Sequence, residues 1–228
     1  MNDDGPAVPV EFPLRGEWVA VNTPARRVPS HGTDVLGERY AFDFVRIDRR
    51  RGMHQFPGGG LRYWTIGIPA ESCYCWGETI HAPFDGRVVR AIDGIPERKR
   101  LHPVGDLLRA LKNGLTFDPS RSDLDRLIGN HVVLEGPGVF AAFAHLVPGS
   151  VAVEDGRAVR TGDVLGKVGH TGNSTAPHLH FQLMDRTDLR SARGVPCLFK
   201  DYEALRDGRW ERVSEGVPGY MERIRKVA

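Results

Sequence analysis

From residue 177 onward apolar and polar positions alternate strictly. His178, His180 and Gln182 fall on one face of a strand and Leu179, Phe181 and Leu183 on the other, because successive strand side chains point to opposite sides. Two imidazoles therefore share a face, about 7 Å apart at the backbone. The same period predicts strands at 18–21, at 39–45, near 63–68, and at 130–135 and 139–146, the last two joined as a hairpin by Gly136-Pro137-Gly138. Residues 80–91 read as a further hairpin turning at Asp85-Gly86, and 159–169 as a turn and a strand ahead of the paired histidines. The pattern changes over 95–128. Leucines recur at helical spacing in 104–112, Asn113-Gly114 is a stop signal, and 123–128 fits a short second helix.

These elements predict a mainly β, antiparallel fold with a helical insertion at about 95–128. Residues 1–30, punctuated by proline, read as an extended lead-in; 31–200 as the β domain; 201–228 as an amphipathic tail. Composition agrees, since 27 glycines and 16 prolines in 228 residues favour many tight turns. A formal charge of +2 gives no electrostatic case for a nucleic-acid partner. The one dense basic run, 46–51, reads as a solvated loop. The acidic, polar start lacks the basic and apolar parts of a secretory signal, and no segment has the length of a membrane helix. The expectation is a cytoplasmic protein without a membrane partner, or an extracellular or periplasmic one if an export segment has been removed. Three cysteines, Cys73, Cys75 and Cys197, argue against a disulfide framework. Cys73 and Cys75 could share a strand face as metal ligands, but free cysteine more often behaves as a small buried hydrophobe.

Paired histidines on one strand face suggest a metal site in which one imidazole binds the ion and the other reaches water or substrate. A catalytic zinc takes three protein ligands and leaves a position open. Beside His180, Asp43 is the best carboxylate: between Phe42 and Phe44 it is costly to desolvate unless a cation compensates. His31, in the loop just upstream, is the natural companion. Asp34 is a rival, although residues 30–34 also suit a turn or helix cap. His145 ends an apolar strand and with His178 supplies two imidazoles for acid–base work.

The run 169–181, Gly-His-Thr-Gly-Asn-Ser-Thr-Ala-Pro-His-Leu-His-Phe, resembles the signature of the lysostaphin-type and LytM-type zinc endopeptidases. The segment 82–89, Gly129-Asn130, Ala144-His145-Leu146 and the early His31 and Asp43 resemble its other landmarks, over a little more than half of the chain. The resemblance implies a β-sheet/barrel-sandwich hybrid core, Zn2+ held by His31, Asp43 and His180, catalytic histidines His145 and His178, and hydrolysis of peptide bonds in peptidoglycan cross-links or stem peptides. The chain departs from the family in spacing: eleven residues separate His31 from Asp43 where the family has three. The helical insertion is a second departure, able to roof the groove. Absence of His-Glu-x-x-His leaves histidines, rather than a glutamate, as the acid–base groups. Two alternatives stand beside this reading: a catalytically inactive binding or activator module, and a cytoplasmic peptide-processing protease. A lipoyl-type carrier is disfavoured because Lys167 lies inside a strand pattern.

Overall fold

The computed structural model describes residues 5–48, 55–57, 60–116, 118 and 123–226. In chain order the elements are β1 Val8–Glu11, β2 Gly16–Asn22, β3 Phe42–Val45, α1 Gly60–Thr65, β4 Ile68–Pro69, β5 Thr79–His81, β6 Gly86–Ile92, β7 Arg100–Leu101, α2 Pro103–Thr116 and α3 Leu124–Ile128. There follow β8 Asn130–Gly136, β9 Val139–Leu146, β10 Ala158–Val159, β11 Val164–Lys167, β12 Leu179–Met184, β13 Gly194–Val195, β14 Cys197–Arg206, β15 Arg209–Gly216 and β16 Arg223–Lys226. The fold is mainly β and dominated by antiparallel pairing, as expected. Its large sheet runs β1-β14-β16-β2-β3-β12-β9-β8-β6-β10 and stays open, without closing into a barrel.

β12 lies at the centre, with His180 opposite Asp43 of β3 on one side and Ala144 of β9 on the other. Every residue of β12 is buried. Leu179, Phe181 and Leu183 enter the main core, as the alternation requires, where Phe181 and Phe143 meet at 5.3 Å between ring centres. Phe12, Phe42, Phe44 and Phe199 form a connected set of edge-on and stacked contacts below β3. The apolar face of the sheet thus fixes which residues point the other way, and His180 and Gln182 are among them.

Several expectations change. The presumed lead-in holds β1 and β2, and the presumed tail holds most of β14 with β15 and β16. β16 lies between β14 and β2, so residues near the two ends of the chain share one sheet. The 80–91 hairpin is absent: its turn forms, but β5 pairs with β11 while β6 pairs with β8 and β10. Asp85 accepts from the backbone and hydroxyl of Thr161, which holds that turn to the loop before β11. The 63–68 strand is replaced by α1 and the two-residue β4. The strand at 39–45 begins only at Phe42, after a 3₁₀ turn over Val35–Tyr40. Cys73 and Cys75 sit in turns, buried and free, rather than on a strand. The hairpin β8–β9 and both insertion helices are present, but α2 continues through Asn113-Gly114. Of the basic run, Arg46 is anchored over the Trp18 ring at 4.8 Å and paired with Glu78, and Arg49 to Arg51 lie outside the described residues.

Candidate active site

The polar face of β12 forms the floor of a groove of about 480 Å³. Ala142 and Ala144 of β9 and His131 and Val133 of β8 continue the floor. The 33–38 turn forms one wall, and Asn113 of α2 with Leu127 and Ile128 of α3 the other. The helical insertion therefore walls the groove.

At one end of this groove His31, Asp43 and His180 bring one ligand atom each to within 4.8 Å of the others, and so do His145, His178 and His180. All five residues singled out from the sequence converge there. Asp34 does not: it is exposed and binds Arg39 with both carboxylate oxygens at 2.9 Å. The cysteines belong to neither group.

Hydrogen bonding around the first group fixes the tautomers. Ser30 Oγ donates to the Glu38 carbonyl at 3.2 Å and so receives the Nδ1–H of His31 at 3.0 Å, leaving His31 Nε2 as a lone pair 2.9 Å from Asp43 Oδ2. Gln182 Nε2 donates to the Leu36 carbonyl at 2.7 Å, so its Oε1 accepts the Nε2–H of His180 at 2.9 Å. His180 Nδ1 is then a lone pair 3.0 Å from Asp43 Oδ1. Asn22 Nδ2 donates to Oδ2 at 2.6 Å and steadies the carboxylate. Two imidazole nitrogens thus face one buried carboxylate, a donor set that either a proton or a metal cation can bridge and that suits zinc. The electrostatics record the same demand. Burial opposes charge on both partners, yet the bond to Asp43 raises His180 to about 9, and the neighbouring histidines hold Asp43 well below the usual carboxylate range.

The second group is organised differently. His145 has a left-handed φ of +67° at a bulge where β8 advances from Asn130 to Val132 while β9 moves from Leu146 to Phe143. Such a conformation in a non-glycine residue is costly and recurs at functional sites. It turns the ring so that Nδ1–H donates to the Thr171 carbonyl at 2.9 Å. His178 Nδ1–H donates to the Ala176 carbonyl at 2.7 Å. Both rings therefore carry their lone pair on Nε2, which in His178 lies 3.4 Å from Asp43 Oδ1, and they lie 4.8 Å apart between centres. Burial first, then the neighbouring His178 and His180, pushes His145 well below its ordinary pKa, which keeps it available as a base.

The loop carrying these partners is gripped by the insertion. Arg98 donates to the carbonyls of Gly172 (2.8 Å) and Ser174 and to His170 Nε2 (3.0 Å), and is itself paired with Asp106 at 3.2 Å. Glu97 accepts the His170 amide, Asn113 donates to the Asn173 side chain at 2.7 Å, and Cys75 Sγ donates to the Pro177 carbonyl at 3.0 Å. Gly129 and Gly172 pass so closely that a Cβ on Gly172 would lie 2.5 Å from the Gly129 nitrogen, so both positions require glycine. Burial and then Arg98 lower His170 to about 3, so it stays neutral and serves as a bracket. The sequence reading assigned no role to Arg98, His170, Asn22 or His131. His131 Nδ1 faces the Gly129 carbonyl, and its buried Nε2 has no hydrogen-bond partner among the described residues. Gln182 could have been read from its place on the His180 face. Replacing it by leucine should weaken metal binding about 10–100-fold by releasing the His180 tautomer, measured by competition with a chromogenic chelator. Gln182→Glu, which still accepts a hydrogen bond, should restore most of the affinity.

Among solved structures, the chain is similar to a point mutant of the catalytic domain of the prophage-encoded M23 protein EnpA from Enterococcus faecalis, at 16% identity over 78% of this chain and 88% of that one, with a TM-score of 0.42. It is also similar to the catalytic domain of the antimicrobial peptidase lysostaphin from Staphylococcus simulans, at 18% identity over 79% and 88%, with a TM-score of 0.37. Residues 102–191, the stretch that holds His145, His178 and His180, match the model of peptidase family M23.

Proposed function

We propose that the protein is a zinc-dependent endopeptidase that hydrolyses peptide bonds in peptidoglycan cross-links or stem peptides. The observation that carries this reading is the pair of donor groups sharing His180, one fixed as lone pairs around a buried carboxylate and the other as two Nε2 bases. His31, Asp43 and His180 are the residues that would hold the metal. Zinc, when bound there, supplies Lewis acidity that lowers the pKa of water towards about 7 and polarises a carbonyl. His178 and His145 take the proton of the attacking water on Nε2 and return it to the leaving amine. Their Nδ1–H bonds to backbone carbonyls hold the rings in place during the transfer. The groove binds the peptide as an extended segment across Ala142 and Ala144, whose small side chains let a backbone lie close to the floor.

Elemental analysis of the untagged protein, paired with mass spectrometry of peptidoglycan fragments incubated with and without o-phenanthroline, tests the reading. One zinc per chain and chelator-sensitive cleavage are expected. A protein that takes up zinc but cleaves none of these fragments would replace the enzyme by a binding module.

A further inference from the structure

Helix α2 is built inside out. Val104, Leu107, Leu108 and Leu111 fall within about 100° of one another around the helix axis, and all four are exposed, Leu107 by 57% and Leu108 by 61%. On the opposite side Asp106 is buried against Arg98, and Asn113 is bonded to Asn173. The helix is thus held to the protein by its polar face and shows its apolar face to solvent, the reverse of an ordinary surface helix. Trp64 and Ile66, exposed by 62% and 60%, stand on α1, which packs against α2, and on the turn after it. That turn is tied to β7, since Arg100 donates to the Ile66 carbonyl. Six of the ten large apolar side chains that stand exposed among the described residues lie between 64 and 111. A concentration of this kind marks an interaction surface.

The charges around it select the partner. Between 99 and 113 the exposed charged residues are Lys99, Arg100, Arg109 and Lys112, and the one acid, Asp106, is buried and paired. A second copy of the same face would oppose like charges. An anionic bilayer matches both features, accepting leucines and a tryptophan at the headgroup boundary and pairing the cations with lipid phosphates.

We propose that the exposed face of α2, with Trp64 and Ile66, lies on an anionic lipid surface. Among the described residues no helix is long and apolar enough to cross a membrane, and the expectation of no membrane partner considered spanning segments alone. A helix lying in the interface plane needs a solvent-facing apolar stripe instead of length. Because Asn113 of this helix also lines the groove, docking holds the groove within about one helix diameter, roughly 10 Å, of the headgroups.

The test is co-sedimentation of the full chain with vesicles of phosphatidylcholine alone and of phosphatidylcholine mixed with phosphatidylglycerol, with sedimentation velocity in the absence of lipid. Binding to the anionic vesicles is expected, falling with salt and reduced at least about tenfold in Leu107→Asp/Leu111→Asp. Lys99→Gln/Lys112→Gln, which leaves the apolar stripe intact, should reduce binding to anionic vesicles by several-fold and guards against a first variant that fails to fold. Absence of vesicle binding, or equal binding by both variants and the parent, overturns the proposal. A concentration-dependent dimer without vesicle binding, lost in Leu107→Asp/Leu111→Asp, overturns it in favour of self-association.

Discussion

His180→Ala is expected to leave a folded protein with almost no bound zinc and with kcat/KM lowered by about 10²–10⁴, the worth of several kcal/mol of transition-state stabilisation. His180 alone belongs to both donor groups. Its removal takes the Nδ1 hydrogen-bond partner from Asp43 and a positively polarised neighbour from His145 and His178. Asp43, buried with 7% exposure, keeps only Asn22, His31 and the more distant His178 ring as partners, so its ionised form is disfavoured and the remaining ligands bind metal weakly. Metal analysis after dialysis against zinc checks the first part and cleavage assays the second. Zinc retained in full would overturn the ligand assignment.

His178→Ala should separate metal binding from proton transfer. Its Nε2 lies 3.4 Å from Asp43 Oδ1, beyond the contacts made by His31 and His180, and its Nδ1–H is committed to the backbone. Zinc content is therefore expected to stay at one per chain while kcat falls by about 10²–10⁴, the usual worth of a positioned acid–base group, with KM little changed. Loss of metal with activity would make His178 a ligand. Adding His145→Ala should lower kcat by much less than the product of the two single effects, because the two rings act as a unit.

Much of this site was legible because period-2 patterning dictates sidedness. Leu179, Phe181 and Leu183 had to face a core, so His180 and Gln182 had to face away. The same logic flagged Asp43 between Phe42 and Phe44. The eleven-residue gap from His31 was readable only as an anomaly. In the structure the gap is filled by the 3₁₀ turn Val35–Tyr40, where Leu36 and Gly37 adopt positive φ. Its Leu36 carbonyl then orients Gln182, so the extra length forms part of the site. What stayed hidden depended on partners distant in sequence. Asp85-Gly86 signals a turn but not that its flanking strands join different sheets. β15 alternates weakly because most of its residues are exposed, so the terminal ribbon resembled a tail. The role of Arg98 rests on contacts to a loop more than 70 residues away, which no local pattern encodes.

The central position of β3 has a consequence during synthesis. β2 and β3 can pair early, but the strand that covers the other edge of β3 carries His180, 137 residues after Asp43. At ordinary translation rates of about 5–20 residues per second, that edge waits roughly 7–27 s for its partner. An uncovered Phe-rich edge invites pairing with other nascent chains, and an inward-pointing charge is one of the devices that blocks it. Asp43 supplies that charge. The carboxylate proposed to hold the metal in the finished protein therefore guards the unfinished one, and replacing it by an apolar residue would trade a ligand for an aggregation seed.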